Sequence, residues 1–325
     1  MENKDNALKI GAMVVAFALI LRLFAAGVSG PDPAPLLPFL VFLQTGRIVR
    51  YPHTLPAQTA PPTSAPTVPT DPPMVLPVFS PEEADGLRML YSCDYRPDLE
   101  SLLQKPLSWD LTGEEPTILI VHTHATEAYT QVPGWEYKAS SDYHTQNIER
   151  NMVSIGDALA QRLQELGFSV LHDRSYHDEP AYNGSYRSAR TAIERYLEQY
   201  PSIQMVLDLH RDAAASSADK QLNTSATVDG EDSAQIMLVL GTDTNNAHPH
   251  WQDNLALGLK LAAILERNDP GICRPLHLRK ERFNMDLTTG SLLVEMGGAG
   301  DTQQEALVAA RALAQAVAEL AHGAN

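Results

Sequence analysis

Two histidines and a glutamate close an apolar run in Ile118-Leu-Ile-Val-His-Thr-His-Ala-Thr-Glu127. A second apolar run, from Ile203 to Leu209, ends in His210-Arg211-Asp212, and a third, Leu292-Leu-Val294, ends in Glu295 ahead of Met-Gly-Gly. Imidazole and carboxylate are the donors of hydrolytic zinc sites, which use three protein ligands and leave a fourth position to water. These residue types nominate His124, Glu127 and His210 as ligands of a Zn2+ ion. Glu295 is the candidate general base, because a carboxylate at a strand end can take a proton from water and return it to a departing amine. Arg211 is a candidate to polarise the scissile carbonyl. Asp208, two residues before His210, is placed to orient a ligating imidazole through its far nitrogen.

Each residue also has an inert reading. His122 and His124 point the same way while the strand lasts; His124 lies nearer the loop and is the preferred ligand, leaving His122 as a core histidine that holds a neighbouring loop. Glu127 could be a carboxylate at a helix start, favoured there by the helix dipole. Arg211 and Asp212 could satisfy each other as a buried pair, and Glu295 could be a paired structural glutamate. His248-Pro-His250 has metal-like spacing but lies among Asp and Asn, and reads as solvated loop. Asn223-Thr-Ser225 matches a glycosylation acceptor, a three-residue pattern that arises by chance.

The elements that must position this chemistry alternate. Thr117 to Val121 reads as a buried strand. Ile148, Met152, Ile155, Leu159, Leu163 and Leu166 then recur at helical spacing up to a stop at Gly167. Phe168 to Leu171 is a short strand, and Ser185 caps a helix that ends before Pro201. Further strands are expected up to His210, over Ile236 to Leu240, at Leu276 to Leu278 as a sheet edge, and over Leu292 to Met296. Helices are expected from Trp251 to Arg267 and, behind the capping box Thr302-Gln-Gln-Glu305, to His322. Such alternation predicts a three-layer α/β/α domain with a mainly parallel sheet. In open α/β sheets the carboxyl ends of the strands line the ligand crevice, so three tips distant in sequence can converge.

The first eighty residues look unlike a core. Ile10 to Val28 is an apolar segment of nineteen residues broken by Arg22, close to the ~20 that cross a bilayer. Lys4 and Lys9 precede it, so the positive-inside rule leaves the N-terminus in the cytoplasm and all that follows outside; a cleaved signal peptide is the alternative. Tyr51 to Pro81 holds ten prolines and reads as an extended tether. Order is expected to resume at Ser80-Pro81-Glu82-Glu83, a capping box with proline at the first helical position. The predicted organisation is a stub and membrane anchor over 1–30, a juxtamembrane and Pro-rich linker over 31–80, and an extracytoplasmic catalytic domain over 81–325. A net charge of −16 argues against nucleic acid, whose phosphates need clustered Lys and Arg. Two cysteines, Cys93 and Cys273, exclude a disulfide scaffold, and the sequence leaves open whether they pair.

In four blocks the chain resembles stage II sporulation protein P: His122-Thr-His-Ala-Thr-Glu127, Tyr182-Asn-Gly-Ser-Tyr186, Asp208-Leu-His-Arg-Asp212 and Leu293-Val-Glu-Met-Gly-Gly298. The likeness covers about residues 85 to 322, with the blocks in the expected order. That family is similar to the zinc-dependent N-acetylmuramoyl-L-alanine amidases, and the resemblance puts the metal ligands on His124, Glu127 and His210 and the catalytic glutamate on Glu295. It implies cleavage of the amide joining N-acetylmuramic acid to L-alanine in peptidoglycan, extended to endopeptidase action on stem-peptide crosslinks. It also implies septal wall remodelling and forespore engulfment during sporulation, with stage II sporulation proteins D and M as partners. Asp301 departs from the family pattern, which often has Asn there. Two competitors remain at this level: a zinc carboxypeptidase or deacetylase of the wall, and a non-catalytic peptidoglycan-binding scaffold.

Overall fold

The computed structural model describes residues 77–322 except 108, 109, 218 and 219. The anchor and most of the linker expected over 1–80 lie outside the described residues. Among those described, no helix is long and apolar enough to cross a membrane.

The Ser80 side chain accepts from Glu83 N while the Glu83 carboxylate accepts from Ser80 N. This capping box starts α1 (Pro81–Gly86). A short strand β1 (Met89–Tyr91) and helix α2 (Leu99–Gln104) follow. The predicted strand is β2 (Ile118–Val121), buried at all four positions. Helix α3 (Met152–Glu165) begins later than the periodicity suggests: Asn151 caps it through Val153 N, leaving Ile148 exposed ahead of it. Next come β3 (Val170–His172) and α4 (Ser185–Gln199). Ser185 is the first helical residue and not the cap; Gly184, with φ 100°, occupies the cap position without a side-chain hydrogen bond.

Strand β4 (Met205–Asp212) carries the second motif. The polar stretch after it forms two small hairpins, β5 (Ala215–Ser217) with β6 (Lys220–Gln221) and β7 (Ala226–Val228) with β8 (Glu231–Ser233). The chain continues through β9 (Ile236–Leu240), α5 (Trp251–Asn268), β10 (Leu276–Leu278), a 3-10 turn at Met285–Leu287, β11 (Ser291–Gly298) and α6 (Gln303–His322). Thr302 and Glu305 form the predicted capping box of α6.

The main sheet has the order β1-β10-β9-β11-β4-β2-β3. Every adjacent pair is parallel except β9 and β11. The sheet is therefore two parallel groups meeting in one antiparallel seam, and the carboxyl ends of β2, β4 and β11 share one edge of the fold. Strand β10, expected at the sheet edge, is flanked by β1 and β9. The short β1 takes the edge instead; three residues of mixed exposure give too little pattern to be legible as a strand.

Alternation along the strands sorts the two faces. Ile118 and Ile120 of β2, Leu207 and Leu209 of β4, and Leu292, Val294 and Met296 of β11 join the large core with α3, α5 and α6. The opposite face is thinner. Leu119, Val121 and Val206 pack on Ile193 of α4, while Met237, Val239 and Leu293 pack on Met285 and Phe283. Cys93 and Cys273 are both buried free thiols.

Candidate active site

The side chains that could do chemistry follow from this alternation. Asp208 and His210 share the parity of Val206, and Glu295 shares that of Leu293, so all three project on the thin face beside α4. Glu295 stands opposite His210 on β4 and opposite Met237 on β9. His122 has the parity of Ile118 and Ile120 and turns to the other face. There its Nδ1 lies 3.2 Å from Leu209 O and its Nε2 2.7 Å from His172 Nε2. Only an N–H can bond a carbonyl, so His122 donates through Nδ1 and accepts at Nε2. Burial, aided by His172, holds it neutral with a pKa of about 3. A Cβ on Gly156 would come within 2.5 Å of both Nε2 atoms, so α3 lies directly on this pair.

Beyond Val121 the strand has ended and parity no longer binds. His124 swings to the thin face, its ring centroid 5.2 Å from that of His210 at 78°. Glu127 starts no helix: its N–H bonds His124 O in a turn and its carbonyl accepts from Met152 N. Its Oε2 lies 3.5 Å from His210 Nδ1 and accepts from Arg211 N at 3.2 Å. His210 Nε2 lies 3.1 Å from Asp208 Oδ1, and Asp208 is itself fixed by Thr123 N at 2.8 Å and Thr123 Oγ1 at 2.6 Å. The structure thus brings His124, Glu127 and Glu295 together around His210.

Arg211 is also there, but buried, and most of its donors are used. Its Nε donates to Ala128 O and its Nη2 to Tyr143 O, while Nη1 stays 3.6 Å from Glu127 Oε1. The expected alternative pair with Asp212 does not form, because Asp212 binds Arg274 at 2.8 Å.

Electrostatics separate the two glutamates. Burial alone would raise Glu127, but its contact with His210 and the charge of Arg211 outweigh it and bring the carboxyl to about 2. Burial raises Glu295 to about 8, with the charges of Glu127 and Asp212 adding to the effect against those of His210 and Arg211. His210 is pulled well above the ordinary histidine range: burial opposes its charge, and Asp208 and Glu127 overcome that. His124 is lowered by burial and by the neighbouring His210. A pair of carboxyls whose surroundings drive them apart is the usual arrangement for dividing acid–base roles.

Two tyrosines that spacing did not single out as functional complete the site. Tyr182 stacks on His124 at 4.2 Å and 5°, and Tyr186 meets the same ring edge-on at 5.6 Å. Both belong to Tyr182-Asn-Gly-Ser-Tyr186, where the left-handed Gly184 turns the chain into α4. A pair of tyrosines four apart around a glycine was the available signal. A cleft of about 460 Å³ opens beside them, bounded by Glu127, Tyr182, Arg211, His144 and Asp178. His248, expected to be solvated, is instead buried with neither ring nitrogen hydrogen-bonded, and burial lowers it to about 4.

Among the described residues, no three His, Cys, Asp or Glu side chains stand arranged to hold a metal ion. His210 faces carboxylates with both nitrogens, and Glu127 is drawn onto Arg211. The donor set nonetheless suits zinc chemically. His124 Nδ1 and Glu295 Oε2 are both buried without a hydrogen-bond partner, and buried polar atoms in native proteins are rarely left so.

The profile of the Stage II sporulation protein P (SpoIIP) family matches residues 80–318, from the α1 capping box through most of α6. The chain belongs to this family. The SpoIIP match takes in every residue of the site. Stage II sporulation protein P of Bacillus subtilis (strain 168) is 25% identical over 228 residues, covering 67% of this chain and 54% of that relative. This SpoIIP-family chain therefore spans about half the length of the curated relative it matches. Similar solved structures include the N-acetylmuramoyl-L-alanine amidase AmiC2 of Nostoc punctiforme, at TM-score 0.37 and 13% identity over 64% of this chain and 97% of that one. Another is the N-acetylmuramyl-L-alanine amidase Ami1 of Mycobacterium smegmatis, at TM-score 0.39 and 13% identity over 65% and 98%.

Proposed function

We propose that the protein is a zinc-dependent peptidoglycan hydrolase that cuts the amide between the lactyl group of N-acetylmuramic acid and L-alanine, and extends to stem-peptide crosslinks. One observation carries the reading: the carboxyl ends of β2, β4 and β11 lie together so that His124, Glu127 and Glu295 all neighbour His210, with His124 Nδ1 and Glu295 Oε2 buried and unpartnered. Membership of a sporulation-protein family supports a part in spore formation. On this reading the domain works outside the membrane, anchored by residues 10–28 and reaching the wall on the Pro-rich tether, with stage II sporulation proteins D and M as partners.

His124, Glu127 and His210 would hold the zinc. When bound, zinc supplies a Lewis acid that polarises the carbonyl and makes water nucleophilic near neutral pH. Asp208 orients the His210 ring through Nε2, the carboxylate support that metal-binding imidazoles commonly have. Glu295 takes a proton from the attacking water and returns it to the nitrogen of the departing L-alanine; a carboxyl near 8 exchanges protons in both directions around neutral pH. Arg211 steadies the ionised Glu127, and its Nη1, the least committed of its nitrogens, is the one placed to aid the carbonyl.

The test incubates the full-length chain with purified wall sacculi, with and without chelator. New amino termini on L-alanine are expected with zinc, and none with chelator or in Glu295→Ala. Product masses showing a free terminal D-amino acid or a deacetylated sugar would move the assignment to a carboxypeptidase or deacetylase. Binding without turnover would leave a scaffold.

A further inference from the structure

Tyr186 neighbours the candidate site and also lines a second pocket. Its ring lies 6.4 Å from that of His210, 5.6 Å from that of His124 and 5.8 Å from that of Phe283. Tyr186 and Phe283 both line this pocket of about 400 Å³, whose charged lining is Arg187, Arg190, Arg282 and Glu281. Within this set Arg190 and Arg282 share one carboxylate, Asp286, at 2.9 and 3.3 Å, and Arg190 also pairs with Glu194 at 2.8 Å. Glu281 is taken by Arg279 at 3.2 Å. Arg187 is exposed, and among the described residues its guanidinium has no ion pair or hydrogen bond. A chain of net charge −16 thus presents a free guanidinium in an arginine-rich pocket next to its candidate catalytic residues.

The pocket rim is also held in an unusual backbone. Phe283 and Asn284 are consecutive left-handed residues without being glycine, at φ 50° and 62°. They are kept there by Asn284 Nδ2, which donates to Tyr186 O at 2.8 Å, and by Phe283, which packs on the Met237, Val239, Met285 and Leu293 cluster. Backbone strain of this kind persists where surrounding structure enforces it, commonly at ligand clamps.

We infer that this pocket is a subsite for a free carboxylate of the substrate peptide, read chiefly by Arg187, on the leaving-amine side of the bond. The inference rests on the peptidoglycan hydrolase reading and deepens it: the substrate would be an acidic peptide whose carboxylate lies a few residues from the scissile amide. The planar guanidinium fork matches a carboxylate with two parallel hydrogen bonds. Tyr186 neighbours both pocket and site, a reach that a few residues of extended chain cover at roughly 3.3–3.6 Å each.

The experiment uses the full-length chain carrying Glu295→Gln, so that no probe is consumed. Calorimetry compares short N-acetyl-L-alanyl peptides with a free carboxylate and the same peptides as carboxamides. The acid is expected to bind at least about tenfold more tightly, Arg187→Ala to erase that difference while leaving the amide's Kd unchanged, and Arg187→Lys to restore part of it. Equal binding of acid and amide, equal weakening of both by Arg187→Ala, or no binding of either would overturn the inference. Wall digestion by the unsubstituted chain is run in parallel. Its absence would fell the hydrolase reading, whereas digestion without acid–amide discrimination would fell only the subsite.

Discussion

Glu295 and His210 face each other across two parallel strands, and they carry opposite electrostatic histories: the carboxyl is pushed up to about 8 and the imidazole is held well above its ordinary value. The glutamate is raised first by burial, and nothing bonds its Oε2. The imidazole is a cation clamped between Asp208 and Glu127. These surroundings therefore favour positive charge on His210 and a proton on Glu295.

A stability slope follows. A carboxyl raised in the folded state keeps its proton there after the unfolded chain has lost its own near the usual value of about 4.3. Its stabilising effect is complete below that value and is lost as pH climbs toward about 8. Urea titrations of chelator-treated protein should show the unsubstituted chain losing up to about 1.4 kcal/mol per pH unit relative to Glu295→Gln over that window. Parallel pH profiles for the two proteins would contradict the assignment.

Gly156 tests the placement of His122. Alanine there sets a Cβ 2.5 Å from both His122 Nε2 and His172 Nε2, an overpacking worth roughly 1–3 kcal/mol. Gly156→Ala should lower the thermal midpoint. His122→Asn should keep the zinc stoichiometry that His124→Asn loses. Retention of zinc by His124→Asn would exchange the two histidines' roles.

Tyr182 holds His124 by stacking where a hydrogen bond is missing, since His124 Nδ1 has no partner. Outer partners that orient a ligating ring are typically worth about 10- to 100-fold in metal affinity. Competition titration with a zinc indicator should place Tyr182→Ala at the lower end of that range, with Tyr182→Phe close to the unsubstituted protein because the ring is what stacks. An equal loss in the phenylalanine variant would point to the hydroxyl instead.

Asp301 accepts from three donors: Thr224 N at 2.6 Å, Thr224 Oγ1 at 2.8 Å and Gly298 N at 2.7 Å. Asparagine has one accepting oxygen, and its amide N–H would confront a donor. Asp301→Asn should cost about 1–3 kcal/mol by denaturant unfolding. A neutral outcome would mean the Gly297–Asp301 turn rearranges to take the amide.

Much of the fold was legible because its signals are local. The apolar run of β2, the helical spacing of α3, the capping boxes at Ser80 and Thr302, and the stop at Gly167, with φ 95°, each depend on a handful of neighbouring residues. The β5–β8 hairpins, the edge strand β1 and the antiparallel seam were not. Their pairing partners lie elsewhere in the chain or their strands are too short for a pattern to show.

The sequence by itself determined which side chains are available for chemistry, and that they stand at the ends of apolar strands: His122, His124, Glu127, His210 and Glu295. Tertiary structure alone decided which of them meet. Strand parity sends His122 beneath α3, while the end of β2 releases His124 to the opposite face, where α4 lays Tyr182 and Tyr186 against it. The same packing turned Arg211 onto loop carbonyls and buried His248 without partners. Residue type and spacing are written along the chain, whereas face, partner and burial depend on segments distant in the chain being brought side by side.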